Sequence, residues 1–226
     1  MQRLRALCEM VSAGKTLADI GTDHAFLPIE LVREGKTPSA LALDIGEGPL
    51  LAAKEHIMEA GLQDRIKTRL SDGFQALLSG EAETAVIAGM GGALIIRILR
   101  AKDPRTLGIE ELVLGPQSEE KEVRHFLQEN GYRMTDERYV EEDGKFYVLI
   151  KAKNGEEPAL SEAEELFGRV ALQKKDPLCR RWLEKRKRVL NDILDSLPPN
   201  EKGRKRREEV QKELDLCIEA ENRFKE

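Results

Sequence analysis

Five short apolar runs, each followed by a stretch whose apolar residues recur at helical spacing, organise the first 130 residues of this 226-residue chain. The runs fall at 16–20, 40–44, 66–70, 84–88 and 111–114. Between and after them the periodicity predicts helices near 25–34, 47–60, 74–79, 91–101 and 118–130. A further helix over 2–13, carried by Leu4, Leu7, Cys8 and Val11, precedes the first strand. Such alternation commits a chain to right-handed crossovers and a parallel sheet covered by helices on both faces. The pattern then breaks. Residues 132–139 and 146–153 are consecutive strands with no helix between them, and Asp143-Gly144 at their junction is a hairpin signal. The expected fold is therefore an α/β sheet of seven strands, parallel except for an antiparallel hairpin at the end.

Beyond Lys153 the sequence reads as a second unit. Asn154 to Pro158 forms a linker, Ser161 to Glu164 a capping box, and Asp176-Pro177 a helix start with proline at its first position. Trp182, Val189, Ile193 and Leu197, flanked by Leu190 and Leu194, predict one apolar stripe. Pro198-Pro199-Asn200 stops that helix, and Val210, Leu214, Cys217 and Ile218 give the next its stripe. Two long antiparallel helices in a coiled-coil hairpin are expected. The division is 1–153 for the sheet and 154–226 for the helical part.

Charge separates the same two parts. The net charge is −5, yet residues 1–150 hold 18 Lys and Arg against 25 Asp and Glu, whereas 168–212 hold 15 against 7. Arg186-Lys187-Arg188 and Arg204-Lys205-Arg206-Arg207 are blocks that can neutralise phosphates and release counterions, or simply form a solvated helix face. Aromatic residues are only 4% of the chain, which predicts no base-stacking surface. Cys8, Cys179 and Cys217 are scattered without a CxxC pair, so reduced thiols and no zinc site are expected. The apolar run 85–96 holds Gly89, Gly91 and Gly92 and is closed by Arg97, too short to span a bilayer. With no signal-peptide core at the N-terminus, a cytoplasmic, metal-free protein is expected, with a monomer favoured.

In an open parallel sheet, ligands bind beyond the carboxyl ends of the strands. After the first strand stands Asp19-Ile-Gly-Thr-Asp23-His24, where Gly21 permits a tight turn and the two carboxylates disfavour a pyrophosphate. The loop suits a cationic cofactor without phosphate, or is an ordinary capped turn. Asp44, followed by Ile45, ends the second strand about 20 residues on, where a carboxylate can accept from both ribose hydroxyls. Asp72-Gly73 ends the third, where a side chain can accept from an adenine amino group or form a plain turn. After the fourth, Gly89-Met90-Gly91-Gly92 implies close backbone approach, either to a planar substrate ring or between helix and sheet. After the fifth, Gln117 stands at the rim and Ser118 is placed to cap a helix.

The combination of Asp19-Ile-Gly-Thr-Asp-His-Ala-Phe-Leu-Pro28, Ala88-Gly-Met-Gly-Gly92 and Gly115-Pro-Gln117 resembles the bacterial tRNA adenine-22 N1-methyltransferases. Those pair a seven-stranded Rossmann-like class I methyltransferase sheet with a C-terminal coiled-coil hairpin. The resemblance implies S-adenosyl-L-methionine as methyl donor and tRNA as acceptor, methylated at N1 of an adenine in the D-arm region. It places Asp19, Gly21, Asp23 and His24 on the cofactor loop, with Asp44 and Ile45 at the ribose and Asp72 and Gly73 at the cofactor adenine. Gly89, Met90, Gly91, Gly92 and Gln117 would face the cofactor's reacting end and the target base. The basic blocks, with Arg3 and Arg5, would hold the tRNA. No Asn/Asp-Pro-Pro-Tyr follows the fourth strand, so a ring nitrogen fits better than an exocyclic amine. Adenine N1 carries an in-plane lone pair and needs no prior deprotonation. Catalysis is then largely alignment, with Asp23 as a helper for the cationic product. The same fold with a small-molecule or protein acceptor, or a non-catalytic RNA-binding protein on it, are the alternatives. A nicotinamide dehydrogenase ranks below both for want of GxGxxG.

Overall fold

The structure, a computed structural model, describes residues 2–225. Helix α1 (Gln2–Met10) leads into β1 (Leu17–Ile20), α2 (Phe26–Arg33), β2 (Ala40–Asp44), α3 (Glu47–Glu59) and β3 (Ile66–Leu70). Next come β4 (Thr84–Met90), α4 (Gly92–Ala101), β5 (Glu111–Pro116), α5 (Glu120–Glu129), β6 (Tyr132–Glu142) and β7 (Lys145–Asn154). They build one seven-stranded sheet in the order β3-β2-β1-β4-β5-β7-β6. The pairs among β1 to β5 are parallel, and β7 runs antiparallel to both β5 and β6. All four residues of β1 and all six of β5 are buried, as expected for strands covered on both faces. Asp143 (φ 52°) and Gly144 (φ 74°) are both left-handed, the backbone a two-residue type I′ hairpin demands.

Three local expectations are corrected. The first helix stops at Met10, because Ser12 turns inward to donate from N and Oγ to the buried Glu111 carboxylate (2.8 and 2.6 Å). Residues 74–79 form turns, not a helix. Phe74 and Leu77 are buried there as a plug, and Lys102 Nζ donates to the carbonyls of Phe74, Gln75 and Leu77, replacing bonds a helix would have made internally. Ser118 does not cap α5. The residue before that helix is Glu119 in a left-handed conformation (φ 58°), and its carboxylate instead accepts from Ala93 N at the start of α4 (2.9 Å).

Residues 155–225 supply α6 (Glu162–Phe167), α7 (Arg169–Gln173), α8 (Pro177–Ser196) and α9 (Glu201–Asn222). The capping box at Ser161 and Glu164 is formed, and Asp176 caps α8 ahead of Pro177. The two long helices pack on each other through Cys179, Leu183, Leu190 and Leu194 facing Val210, Leu214, Cys217 and Ala220. The expected stripe is therefore displaced: Val189 and Ile218 are each 41% exposed. Arg186 occupies the seam position between Leu183 and Leu190, paired bidentately with Glu213 (2.6 and 2.9 Å), and that charge hid the true register. One apolar cluster runs from the sheet through Phe167 and Trp182 into the hairpin. Beneath it the fully buried Arg124 donates through Nε to Glu137 (2.7 Å), whose other oxygen accepts from Val170 N (2.9 Å).

Candidate active site

The carboxyl ends of β1 and β4 open into a cavity of about 420 Å³, walled on one side by the cofactor-loop candidates and on the other by α1. Asp19, Gly21, Asp23, His24, Gly89 and Gln117 all line it, together with Arg3 and Phe26. Asp19 is the buried charge of the site, 7% exposed, and accepts from Thr22 Oγ1 at 2.6 Å. Burial pushes its carboxyl up to about 6, against the Thr22 hydrogen bond and with help from the nearby Asp44 charge. Among the described residues no cation pairs with this desolvated carboxylate, which is poised to receive one.

The loop above Asp19 is held by close contacts. Gly21 has φ +76°, and a Cβ there would lie 2.8 Å from Met90 Cε, so the Met90 side chain crosses the turn where only glycine leaves room. Asp23 (φ 50°) and Ala25 (φ 57°) continue the left-handed path and bring Asp23 N toward Asp44 Oδ2 (3.5 Å). Asp44 is fixed from the other side by Gly46 N, which donates to Oδ1 at 2.8 Å. Beside it the apolar side chains of Ile45 and Leu70 are exposed, an open ledge at the ends of β2 and β3. Asp72 stands exposed on that ledge, with Arg97 at 3.9 Å.

The glycines at the end of β4 and just beyond it divide between the two meanings left open by the sequence. A Cβ at Gly89 (φ +83°) would meet nothing within 4 Å, so this residue faces open space in the cavity wall. A Cβ at Gly92 would lie 2.6 Å from the Ser118 carbonyl oxygen and 2.8 Å from that of Glu119. Gly92 thus seats α4 against the loop after β5 and is a packing residue, not a substrate contact. Gly73 is likewise buried, its α-carbon turned to Ile98 Cγ2 (2.8 Å from a built Cβ). Gly91 lies between the two cases, 3.1 Å from Ser118 Oγ by the same measure.

The basic residues are not equivalent. Arg3 reaches the cavity rim with its guanidinium over the Tyr147 ring (4.7 Å), whereas Arg5 pairs with Glu9 and lines a separate groove. Arg186 and Lys187 are engaged within the hairpin, by Glu213 and by Glu221 (2.5 Å), and Arg206 pairs with Glu209 (2.8 Å). Arg188, Arg204, Lys205 and Arg207 are the exposed members of the blocks without an acidic partner among the described residues.

One group was missed. His24, Phe26 and His56 bring their rings together at the cavity edge, with centroids 5.1–5.4 Å apart. Their separation by some thirty residues concealed it; the one available signal was a histidine and a phenylalanine in a ligand loop. Among the described residues no helix is long and apolar enough to cross a membrane, and no three His, Cys, Asp or Glu side chains gather as a metal site.

Comparison with known proteins agrees with this geometry. The family profile described as a methyltransferase domain matches residues 1–150. The tRNA (adenine(22)-N(1))-methyltransferase of Bacillus subtilis is 40% identical over 158 residues, which is 70% of this chain and 66%, about two thirds, of that one. The solved structure of the B. subtilis m1A22 tRNA methyltransferase superposes with a TM-score of 0.85 at 31% identity, covering 98% of each chain. A Streptococcus pneumoniae protein solved in complex with S-adenosyl-L-methionine gives a TM-score of 0.87 at 32% identity over 97% of this chain and 98% of that one. A seven-stranded methyltransferase sheet, an acidic cofactor loop and a helical hairpin, all matched along nearly the full length, place this chain in the tRNA (adenine-22 N1)-methyltransferase family.

Proposed function

We propose that this protein transfers a methyl group from S-adenosyl-L-methionine to N1 of adenine 22 in tRNA. The observation that carries the reading is the 98% coverage of the match to the m1A22 methyltransferase, which takes in the hairpin as well as the sheet.

The residues present fit the donor. It supplies a methyl group on a sulfonium and bears an α-ammonium, and the buried Asp19 carboxyl is the partner for that ammonium. Asp44, pinned through Oδ1 by Gly46 N, presents Oδ2 to the ribose hydroxyls. The ledge of Ile45 and Leu70 offers apolar faces to the adenine ring, with Asp72 at its amino edge. Gly89 and Gln117 leave and border the space for the target base. Because N1 attacks through an existing lone pair, the protein needs to align it and shield it from water rather than remove a proton. The product adenine is cationic. Asp23, on the cavity wall with its carboxylate 3.6 Å from His24 Nε2, is the anionic group assigned to stabilise it. Arg188, Arg204, Lys205 and Arg207 are assigned to tRNA phosphates, with Arg3 at the cavity rim.

The test is incubation with labelled S-adenosyl-L-methionine and unmodified bulk bacterial tRNA, followed by nucleoside mass spectrometry and fragment mapping. N1-methyladenosine at position 22 is expected; a different methylated nucleoside, or none from cofactor-bound protein, overturns the proposal. Asp23→Asn is expected to bind cofactor normally and to turn over slowly. Full turnover would remove Asp23 from the mechanism.

A further inference from the structure

Resting on that reading, we infer that His24, Phe26 and His56 form a stacking patch for the unpaired base next to the target adenine. A 4% aromatic content predicted no such surface, yet the fold gathers three rings into one patch. Phe26 lies 5.3 Å from His24 and 5.1 Å from His56, each at an interplanar angle of 26°, and the two imidazoles are 5.4 Å apart.

The patch is built rather than accidental. Phe26 opens α2 and is 44% exposed, a large ring left in solvent one turn from the buried Ile29. His56 comes from α3, and its Nδ1 lies 3.1 Å from the carbonyl oxygen of His24. That oxygen can only accept, so the bond fixes the His56 ring as an Nδ1–H donor and ties α3 to the cofactor loop. The residues on either side of His24, Asp23 and Ala25, are both left-handed, so the loop turns sharply where His24 joins the cluster.

Position then selects the occupant. His24 and Phe26 line the cavity, but His56 lies outside it, so the patch begins at the cavity wall and continues outward over α3. The target adenine must direct N1 inward to the methyl group, past Gly21 and Gly89. A strand bearing that base leaves the cavity at its rim, and its next base meets the patch. Stacking there offsets the cost of unpairing the D-arm nucleotides and holds the target extruded. Imidazole and phenyl faces accept any base, so the patch contributes extrusion rather than sequence choice.

The test is a cycle between protein and RNA changes. Phe26→Ala and His56→Ala are assayed on tRNA and on tRNAs made abasic at one neighbour of adenine 22, on the 5′ or the 3′ side. Each variant is expected to lose on the order of 10-fold in kcat/KM on normal tRNA, Phe26→Ala with the Kd for S-adenosyl-L-methionine and Tm unchanged, and His56→Ala with a lower Tm because its bond to the His24 carbonyl is lost. Phe26→Trp is expected to restore activity. On one of the two abasic tRNAs the wild type should show the same loss, and Phe26→Ala should lose nothing more. Additive losses on both abasic substrates overturn the inference and mean that the patch touches the target base or none. Full activity of Phe26→Ala, or a loss explained by weaker cofactor binding, overturns it as well. Failure of the wild type to methylate intact tRNA is a different result, and overturns the assignment of the reaction.

Discussion

Asp19→Asn is expected to make the cofactor-free protein more stable while weakening its hold on the cofactor. In the folded protein the Asp19 carboxyl is pushed from an ordinary 3.8 to about 6, mainly by burial. Between those two values the folded state binds the proton more tightly than the unfolded chain does. Stability contributed by the protonated form is therefore full below about pH 4 and is lost as pH rises through 6. At neutral pH the ionised group costs the folded state about 3 kcal/mol, an upper figure for a shift of this size. An asparagine removes the charge and keeps an oxygen for the Thr22 hydroxyl, which now donates at 2.6 Å. Its amide brings two donors that also need partners, so about half of the gain, ~1.5 kcal/mol, should survive. For a chain of this length that raises Tm by about 3–6 °C. The assay is thermal unfolding of both proteins from pH 4.5 to 7.5, with and without S-adenosyl-L-methionine. Taking the difference between variant and wild type cancels carboxylates held low by arginine, such as Glu164, which sits near 2. The difference should be near zero at pH 4.5, grow through pH 6 and level off. Cofactor should raise the wild-type Tm more than that of Asp19→Asn at pH 7.5, since only the ionised carboxylate meets the α-ammonium. A variant less stable than wild type at pH 7.5, or a difference that does not change with pH, would refute the reasoning.

Gly92→Ala should lower stability by about 1–3 kcal/mol, because the new Cβ meets two backbone carbonyls at 2.6 and 2.8 Å that cannot swing away; chemical denaturation measures it. Glu137→Gln leaves the buried Arg124 charge without its counterion and should cost about 3–5 kcal/mol in urea unfolding. A loss under 1 kcal/mol would mean that another group neutralises Arg124. Replacing Arg188, Arg204, Lys205 and Arg207 together by Ala should weaken tRNA binding and flatten its salt dependence, by roughly 0.9 in log–log slope per phosphate contact removed. Cofactor affinity should not change. Arg186→Ala should instead lower Tm with the salt slope intact, as its guanidinium is committed to Glu213.

What could be read from the sequence followed the reach of each physical signal. The sheet was readable because its strands are short, apolar and regularly interrupted, and the Asp143-Gly144 turn announced the hairpin through a backbone requirement local to two residues. Asp19 and Asp44 were readable because a parallel sheet puts its strand ends on one edge, so spacing along the chain becomes position in space. Signals failed where the deciding partner was remote. Six residues at 74–79 have helical spacing, but Lys102 takes their carbonyls. Gly92 and Gly89 are the same residue type three positions apart, and only the loop after β5 distinguishes packing from open space. The hairpin seam was misplaced because Arg186 sits in an apolar row, which its pairing with Glu213 across the helices makes tolerable. By the same logic, composition could not reveal the ring patch. Low aromatic content limits how many rings a protein has, whereas function depends on whether three of them meet, and that depends on His56 bonding the His24 carbonyl from another helix. A count sets an average, while a site needs a coincidence. The strand-end carboxylates could be placed on one edge from the sequence because the fold class itself supplies the coincidence; the ring cluster could not, because only side-chain contacts between α3 and the first loop supply it.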